Sequence, residues 1–188
     1  AQDNAAGSAV VMEAARILRA LDLTPRRTIR FALWSGEEQG LYGSIAYAER
    51  YLAARGALAD PDDAALPPYL TWSRRWPIEP KREHAALSAY FNIDNGSGKV
   101  RGIYTEGNVA VVPIFREWLA PFASMGATAV VTPPTTGTDH VPLQQIGIPA
   151  FQFVQDPLDY RSRIHHTNVD SYDHLKLDDL RQAAVILA

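Results

Sequence analysis

Residues 27–44 read RTIRFALWSGEEQGLYGS. The first eight are rich in β-branched and aromatic residues and are short enough to form one strand, which Ser35-Gly36 then breaks. From Gly40 onward, Leu41, Ile45, Ala48, Tyr51 and Leu52 fall on one side of a helix predicted over 40–56. A strand that runs at once into a helix, with Glu37 and Glu38 at the junction, is the repeating step of an α/β sheet. Upstream, Val10, Val11, Ala14, Ile17, Leu18 and Leu21 mark one face of a helix over 5–23, stopped by Pro25. Downstream, the prolines at 61, 67, 68, 77 and 80 predict an irregular excursion over about 57–84 in which Trp72 and Trp76 pack. Strand composition returns at 86–93, and the turn cluster 94–98 invites a hairpin into 100–104. A helix follows over 109–124, with Pro113 in its first turn, then strands over 127–131 and 150–154 and a last helix over 176–188. The alternation predicts one α/β domain over residues 1–188, with a mixed sheet sandwiched between helices and no internal repeat.

Composition narrows the function classes. A length of 188 residues suits one domain. Acidic residues number 21 against 18 basic ones, so there is no broad positive field for nucleic acid or an anionic membrane. The chain has no cysteine, so disulfides, thiol nucleophiles and thiolate metal sites are all excluded. No apolar run approaches the roughly 18 residues of a membrane span, and no basic-then-apolar leader opens the sequence. The chain begins abruptly at Ala1-Gln2-Asp3-Asn4 and ends inside the apolar pattern 184–188, which is expected of a piece cut from a larger domain.

The acidic and histidine residues gather where strands end and helices begin, the place where open α/β sheets bind ligands. Asp3 precedes the first helix, Glu37-Glu38 follow the 27–34 run, Asp94 ends the 86–93 run, and His165-His166 follow the 150–154 strand. Each has an ordinary reading: Asp3 as a helix cap, the glutamates as favourable charges at a helix start, Asp94 as a turn residue, the histidines as solvated. Read together, clustered carboxylates call for a cation, and oxygen and imidazole donors without sulfur suit catalytic zinc.

Four segments in order resemble the di-zinc aminopeptidases of peptidase family M28. Residues 3–8, DNAAGS, are similar to the family's D-N-x-x-G-S/A segment, and residues 35–44, SGEEQGLYGS, to its G-E-E-x-G-x-x-G-S segment. Residues 92–94, NID, are similar to its N-x-D strand end, and residues 164–171, IHHTNVDS, to its closing H-S/T-x-x-D-S/T segment. The resemblance implies a zinc-peptidase-like mixed sheet between helices, here without the N-terminal strands. It also implies that Asp3 bridges two zinc ions, that Glu38 and His166 complete one zinc's ligands, and that Asp94 binds the other. Glu37 would be the general base, and Asp139 in Thr138-Asp139-His140 falls where the family carries an acidic residue near the site.

Two departures qualify the resemblance. His165 stands where the family more often has tyrosine; a His-His pair also occurs in the branch resembling plasma glutamate carboxypeptidase, which acts on dipeptides. His165 is then expected to donate a hydrogen bond to developing negative charge. The family's upstream H-x-D histidine has no counterpart, so two zincs are expected in an intact domain and one or fewer in these 188 residues. The implied activity is removal of a terminal amino acid from a peptide with a free N-terminus, or hydrolysis of a dipeptide. Two alternatives stay open: a single-zinc acyltransferase similar to glutaminyl cyclases, and a non-catalytic binding domain like the family's receptor relatives. Relatives are often exported, so a periplasmic or extracellular location is expected.

Overall fold

The alternation read from the sequence recurs in the protein, whose computed structural model describes residues 1–188. In chain order the elements are α1 (Ala5–Ala20), α2 (Tyr42–Tyr47), β1 (Ala53–Arg55), α3 (Pro68–Thr71), β2 (Ile78–Pro80), β3 (Tyr90–Asn92) and β4 (Val100–Tyr104), then α4 (Val112–Leu119), β5 (Ala129–Val131), α5 (His140–Gln144), β6 (Ala150–Gln155) and α6 (Leu177–Leu187). Strands β3, β6, β4 and β5 lie in that order in one mixed sheet, and β1 and β2 form a separate antiparallel pair. No helix is long and apolar enough to cross a membrane. The chain divides into two units: residues 1–33, 93–134 and 152–188, and residues 34–92 and 135–151.

In the first unit, α1 forms because an alanine-rich run carries a buried stripe, Ala6, Gly7, Val10 and Ala14, behind a capping asparagine. The Asn4 side chain accepts from the Gly7 N–H at 2.9 Å. Helix α1 packs on α6, whose buried Ala183 and Ala184 leave room for close approach. Strand β4 crosses over through α4 to β5, which is parallel to it, with Gly102 opposite Ala129 and Tyr104 opposite Val131. On its other side β4 runs antiparallel to β6, with a register irregularity between Val100 and Gly102. The buried Gln182 of α6 braces that irregularity: its Oε1 accepts from Val100 N at 2.9 Å and its Nε2 donates to Val100 O at 2.8 Å.

The second unit has its own core of Leu41, Ile45, Ala48, Leu52, Trp72, Leu143, Ile146 and Ile148. Trp72 is 1% exposed and its Nε1 donates to Pro142 O at 3.1 Å, so the indole is buried with its one donor satisfied. The Arg55 guanidinium lies over the same ring, 4.8 Å from its centroid.

Several sequence expectations are corrected. Residues 27–34 enter no sheet, and Ile29, Phe31 and Leu33 are 49%, 44% and 57% exposed. Composition shows that these residues tolerate extended backbone, but a strand exists only when another backbone pairs with it. The helix predicted over 40–56 ends early: α2 passes into a wide turn at Ala48–Leu52, and Ala53, at φ −155° and ψ 141°, begins β1. The pairing of Ala53 with Pro80 and Arg55 with Ile78 overrides the helical pattern there. The same pairing puts β2 inside the expected irregular excursion, where Trp72 packs but Trp76 remains 65% exposed. The predicted hairpin into 100–104 does not form, since the antiparallel partner of β4 is β6. The 109–124 helix is regular only over α4, flanked by tighter turns, with Pro113 in the first turn as expected. Helix α5 falls between the strands expected at 127–131 and 150–154, where no helix is predicted.

Candidate metal centre

Asp3, His165 and His166 converge in the first unit, their donor atoms all within 4.8 Å of one another. His166 Nε2 is 3.4 Å and His165 Nε2 3.7 Å from Asp3 Oδ2. These separations exceed the usual N–H···O range of about 2.7–3.2 Å, so direct short hydrogen bonding does not account for the grouping. A tetrahedral zinc with ligand bonds of about 2.0–2.1 Å would hold its donors roughly 3.3 Å apart. The Asp3–His166 pair, at 3.4 Å, matches that spacing, and a carboxylate with an imidazole is an ordinary zinc donor pair, while His165 lies beside them at 3.7 Å.

The loops that carry these residues are tied down. The Asp170 carboxylate accepts from Gln2 N at 2.7 Å and from Asp3 N at 3.0 Å, so the aspartate of the 164–171 segment fixes the backbone of the Asp3 segment. Asn4, besides capping α1, donates from Nδ2 to Ile93 O at 3.1 Å. The third motif residue in this region, Gly7, leaves no room for a side chain: a Cβ there would lie 2.4 Å from Ile93 O. Asp94 therefore follows a residue held by the Asp3-Asn4 segment, although its carboxylate is outside the three-donor group. The histidines leave a wide turn at Tyr160–Ile164, in which His165 N donates to Tyr160 O at 2.8 Å. Thr167 Oγ1 donates to Ile164 O at 2.7 Å and its N to the same oxygen at 3.0 Å. The His165 ring packs between Tyr160, 4.8 Å away by centroids, and His166, 3.7 Å away. His166 itself has a φ of +58°. Asp3 is half-buried, and both imidazoles are exposed.

Glu37, Glu38 and Asp139 belong to the second unit. Glu37 is half-buried and Glu38 exposed, on a turn whose Glu37 carbonyl accepts from Gly40 N at 2.8 Å and Leu41 N at 2.9 Å. The turn closes with Tyr42 N donating to Gly36 O at 3.0 Å. Gly43 follows because its Cα passes Ser35 closely, where a Cβ would lie 2.5 Å from Ser35 O. Asp139, at the start of α5, is 4% exposed and accepts from Ser44 Oγ at 2.5 Å. Burial pushes its carboxyl up to about 6, against the opposing effect of the Ser44 hydrogen bond. His140, fully buried, is pushed down to about 4, again chiefly by burial.

Asp3, His165 and His166, three of the candidate residues marked by the sequence motifs, are grouped in the structure. Asn4, Ser44, His140, Tyr160 and Asp170 were passed over as individuals. Four of these sit inside or next to the quoted motifs, which was the available signal; Tyr160 had none.

The fold recurs in known proteins. The solved structure of a peptidase M28 precursor from Shewanella amazonensis superposes with a TM-score of 0.72 at 24% identity, over 98% of this chain and 35% of that one. A zinc aminopeptidase from Bacillus subtilis gives 0.67 at 21% identity, over 99% of this chain and 40% of its own. Leupeptin-inactivating enzyme 1 of Streptomyces exfoliatus is 27% identical over 149 residues, 78% of this chain and 27% of that protein. The chain thus spans between about a quarter and two-fifths of the length of these relatives. The description of Peptidase family M28 matches residues 1–188 throughout, and the chain belongs to that family.

Proposed function

We propose that the protein is a zinc-dependent exopeptidase whose catalytic domain includes residues 1–188. The observation that carries this reading is the approach of Asp3 and His166 at a zinc-like donor spacing, with His165 beside them, in a chain of family M28. Asp3 and His166 would hold zinc here, with Glu38 and Asp94 completing the ligand set by the motifs they occupy. Bound zinc would supply Lewis acidity to a scissile carbonyl and lower the pKa of an attacking water. Glu37 would take the water's proton and return it to the leaving amine. His165 would donate a hydrogen bond to the developing oxyanion. The substrate class is a peptide with a free N-terminus, or a dipeptide.

Metal content per chain after zinc reconstitution tests the first half of the reading, with Asp3→Ala and His166→Ala as controls. Zinc retained by the wild-type chain and lost by both variants supports it; zinc absent from the wild type sinks it. Turnover of aminoacyl and dipeptide substrates by the intact enzyme tests the second half, since Glu37→Gln should keep zinc and lose hydrolysis.

A further inference from the structure

The turn that carries Glu37 and Glu38 is unusual in how it meets helix α2. The residue entering the helix, Leu41, is left-handed at φ +59° and ψ 29°, and no side chain caps it. A non-glycine residue in that region is strained and persists only where the surroundings hold it. Two sets of hydrogen bonds do so, and both lead to Thr138-Asp139.

At the end of the turn, Ser44 is fully buried in the first turn of α2. Its Oγ is 2.5 Å from Asp139 Oδ1 and 3.2 Å from Leu41 O, so one hydroxyl spans the strained residue and the start of α5. At the beginning of the turn, Trp34 Nε1 donates to Tyr90 Oη at 2.9 Å, and Tyr90 Oη donates to Asn92 Oδ1 at 2.5 Å. Asn92 Nδ2 donates to Thr138 Oγ1 at 2.9 Å, which also accepts from Asp139 N at 2.7 Å. The segment from Trp34 to Ser44 is therefore held at both ends by two adjacent residues that lead into α5, Thr138 and Asp139. All of these groups lie in the second unit.

Resting on the proposed peptidase function, we infer that Ser44 and Asp139 are positioning residues: their buried hydrogen bond fixes the turn that presents Glu37 and Glu38. Asp139 acts through the backbone of α2 and touches no substrate. Its carboxyl sits in a place that disfavours charge, and a buried acceptor for Ser44 is what the position supplies. Asparagine retains that acceptor; leucine fills the same space without it.

The test begins with amide hydrogen exchange in the metal-free chain. Ser44→Ala and Asp139→Leu should each speed exchange at Gly40, Leu41 and Tyr42 by about tenfold or more, the weight of one hydrogen bond to a carboxyl group. Amides of β6 should keep their protection, and Asp139→Asn should keep wild-type rates at the turn. In the zinc-loaded intact enzyme, Ser44→Ala and Asp139→Leu should lower kcat by about tenfold or more with little change in KM, and Asp139→Asn should restore most of kcat. Should Ser44→Ala not fold, Asp139→Leu, which leaves no cavity, decides the matter alone. Unchanged exchange at the turn in the folded variants overturns the inference, as does faster exchange with unaltered kcat. Absence of peptide turnover in the wild-type enzyme would instead overturn the proposed function, while the exchange data still decide whether the tether exists.

Discussion

Replacing Asp139 with asparagine should change how stability depends on pH, and the direction follows from burial. Asp139 titrates near 6 in the folded chain against an ordinary 3.8. Between those values the folded chain keeps a proton that the unfolded chain has released, so this residue's contribution is complete below about 3.8 and is lost as pH rises through 6. The difference of about two pK units corresponds to about 3 kcal/mol. His140 works in the opposite sense: folded near 4 against an ordinary 6.5, it contributes stability that is present above 6.5 and lost as pH falls towards 4. Its magnitude is also about 3 kcal/mol, so in the wild-type chain the two slopes largely cancel between about pH 4 and 6. Asp139→Asn keeps an acceptor for Ser44 and removes the first slope alone. The variant should match the wild type near pH 4 and exceed it by up to about 3 kcal/mol at pH 7. Urea unfolding of the 188-residue chain at several pH values from 4 to 7.5 measures the difference. Parallel pH profiles for the two proteins, or an asparagine variant less stable at pH 7, would refute the claim that Asp139 is held neutral by burial.

Three further outcomes are expected. Gly7→Ala forces a methyl to within 2.4 Å of the Ile93 carbonyl and of Asn4 Oδ1 and should cost about 1–3 kcal/mol; a loss under about 0.5 kcal/mol in urea unfolding would show that the contact yields easily. Asp170→Ala strips the acceptor from Gln2 N and Asp3 N, and should cost about 2–3 kcal/mol in stability while weakening zinc retention; calorimetric titration showing undiminished zinc affinity would separate Asp170 from the metal site. Trp72→Ala empties the centre of the second unit's core and removes the bond to Pro142 O, for an expected loss of about 3–5 kcal/mol by thermal or urea unfolding.

The parts of the fold that were legible in the sequence are those whose signal is local. Helix α1 is written in the spacing of Val10 and Ala14 and closed by the cap at Asn4, and β6 in an apolar run buried along Ala150, Phe151 and Phe153. The errors fall where pairing decides. Residues 27–34 have strand composition and no partner in either sheet, while Ala53–Arg55 have helical spacing and become a strand because Ile78–Pro80 lie alongside.

The candidate site divides in the same way. Its donor residues were legible because chemistry restricts them to carboxylates and imidazoles in a chain without cysteine, and because motif order placed Asp3 and His166 in one reading. Their convergence was not. Consecutive side chains on an extended backbone point to opposite faces, so adjacent histidines reach one carboxylate only if the chain turns sharply between them. Here the wide turn ending at Ile164 and the left-handed His166 supply that turn, and the two imidazoles come to lie 3.7 Å apart by centroids over Asp3. No residue in the segment announces it, since a left-handed position is usually marked by glycine or asparagine and this one carries histidine. The strain is tolerated because Thr167 and Asp170 hold the loop from the far side, through Ile164 O and through the backbone of Gln2 and Asp3. The donors of the site are thus fixed by side-chain chemistry, and their spacing by hydrogen bonds between segments more than 160 residues apart in sequence.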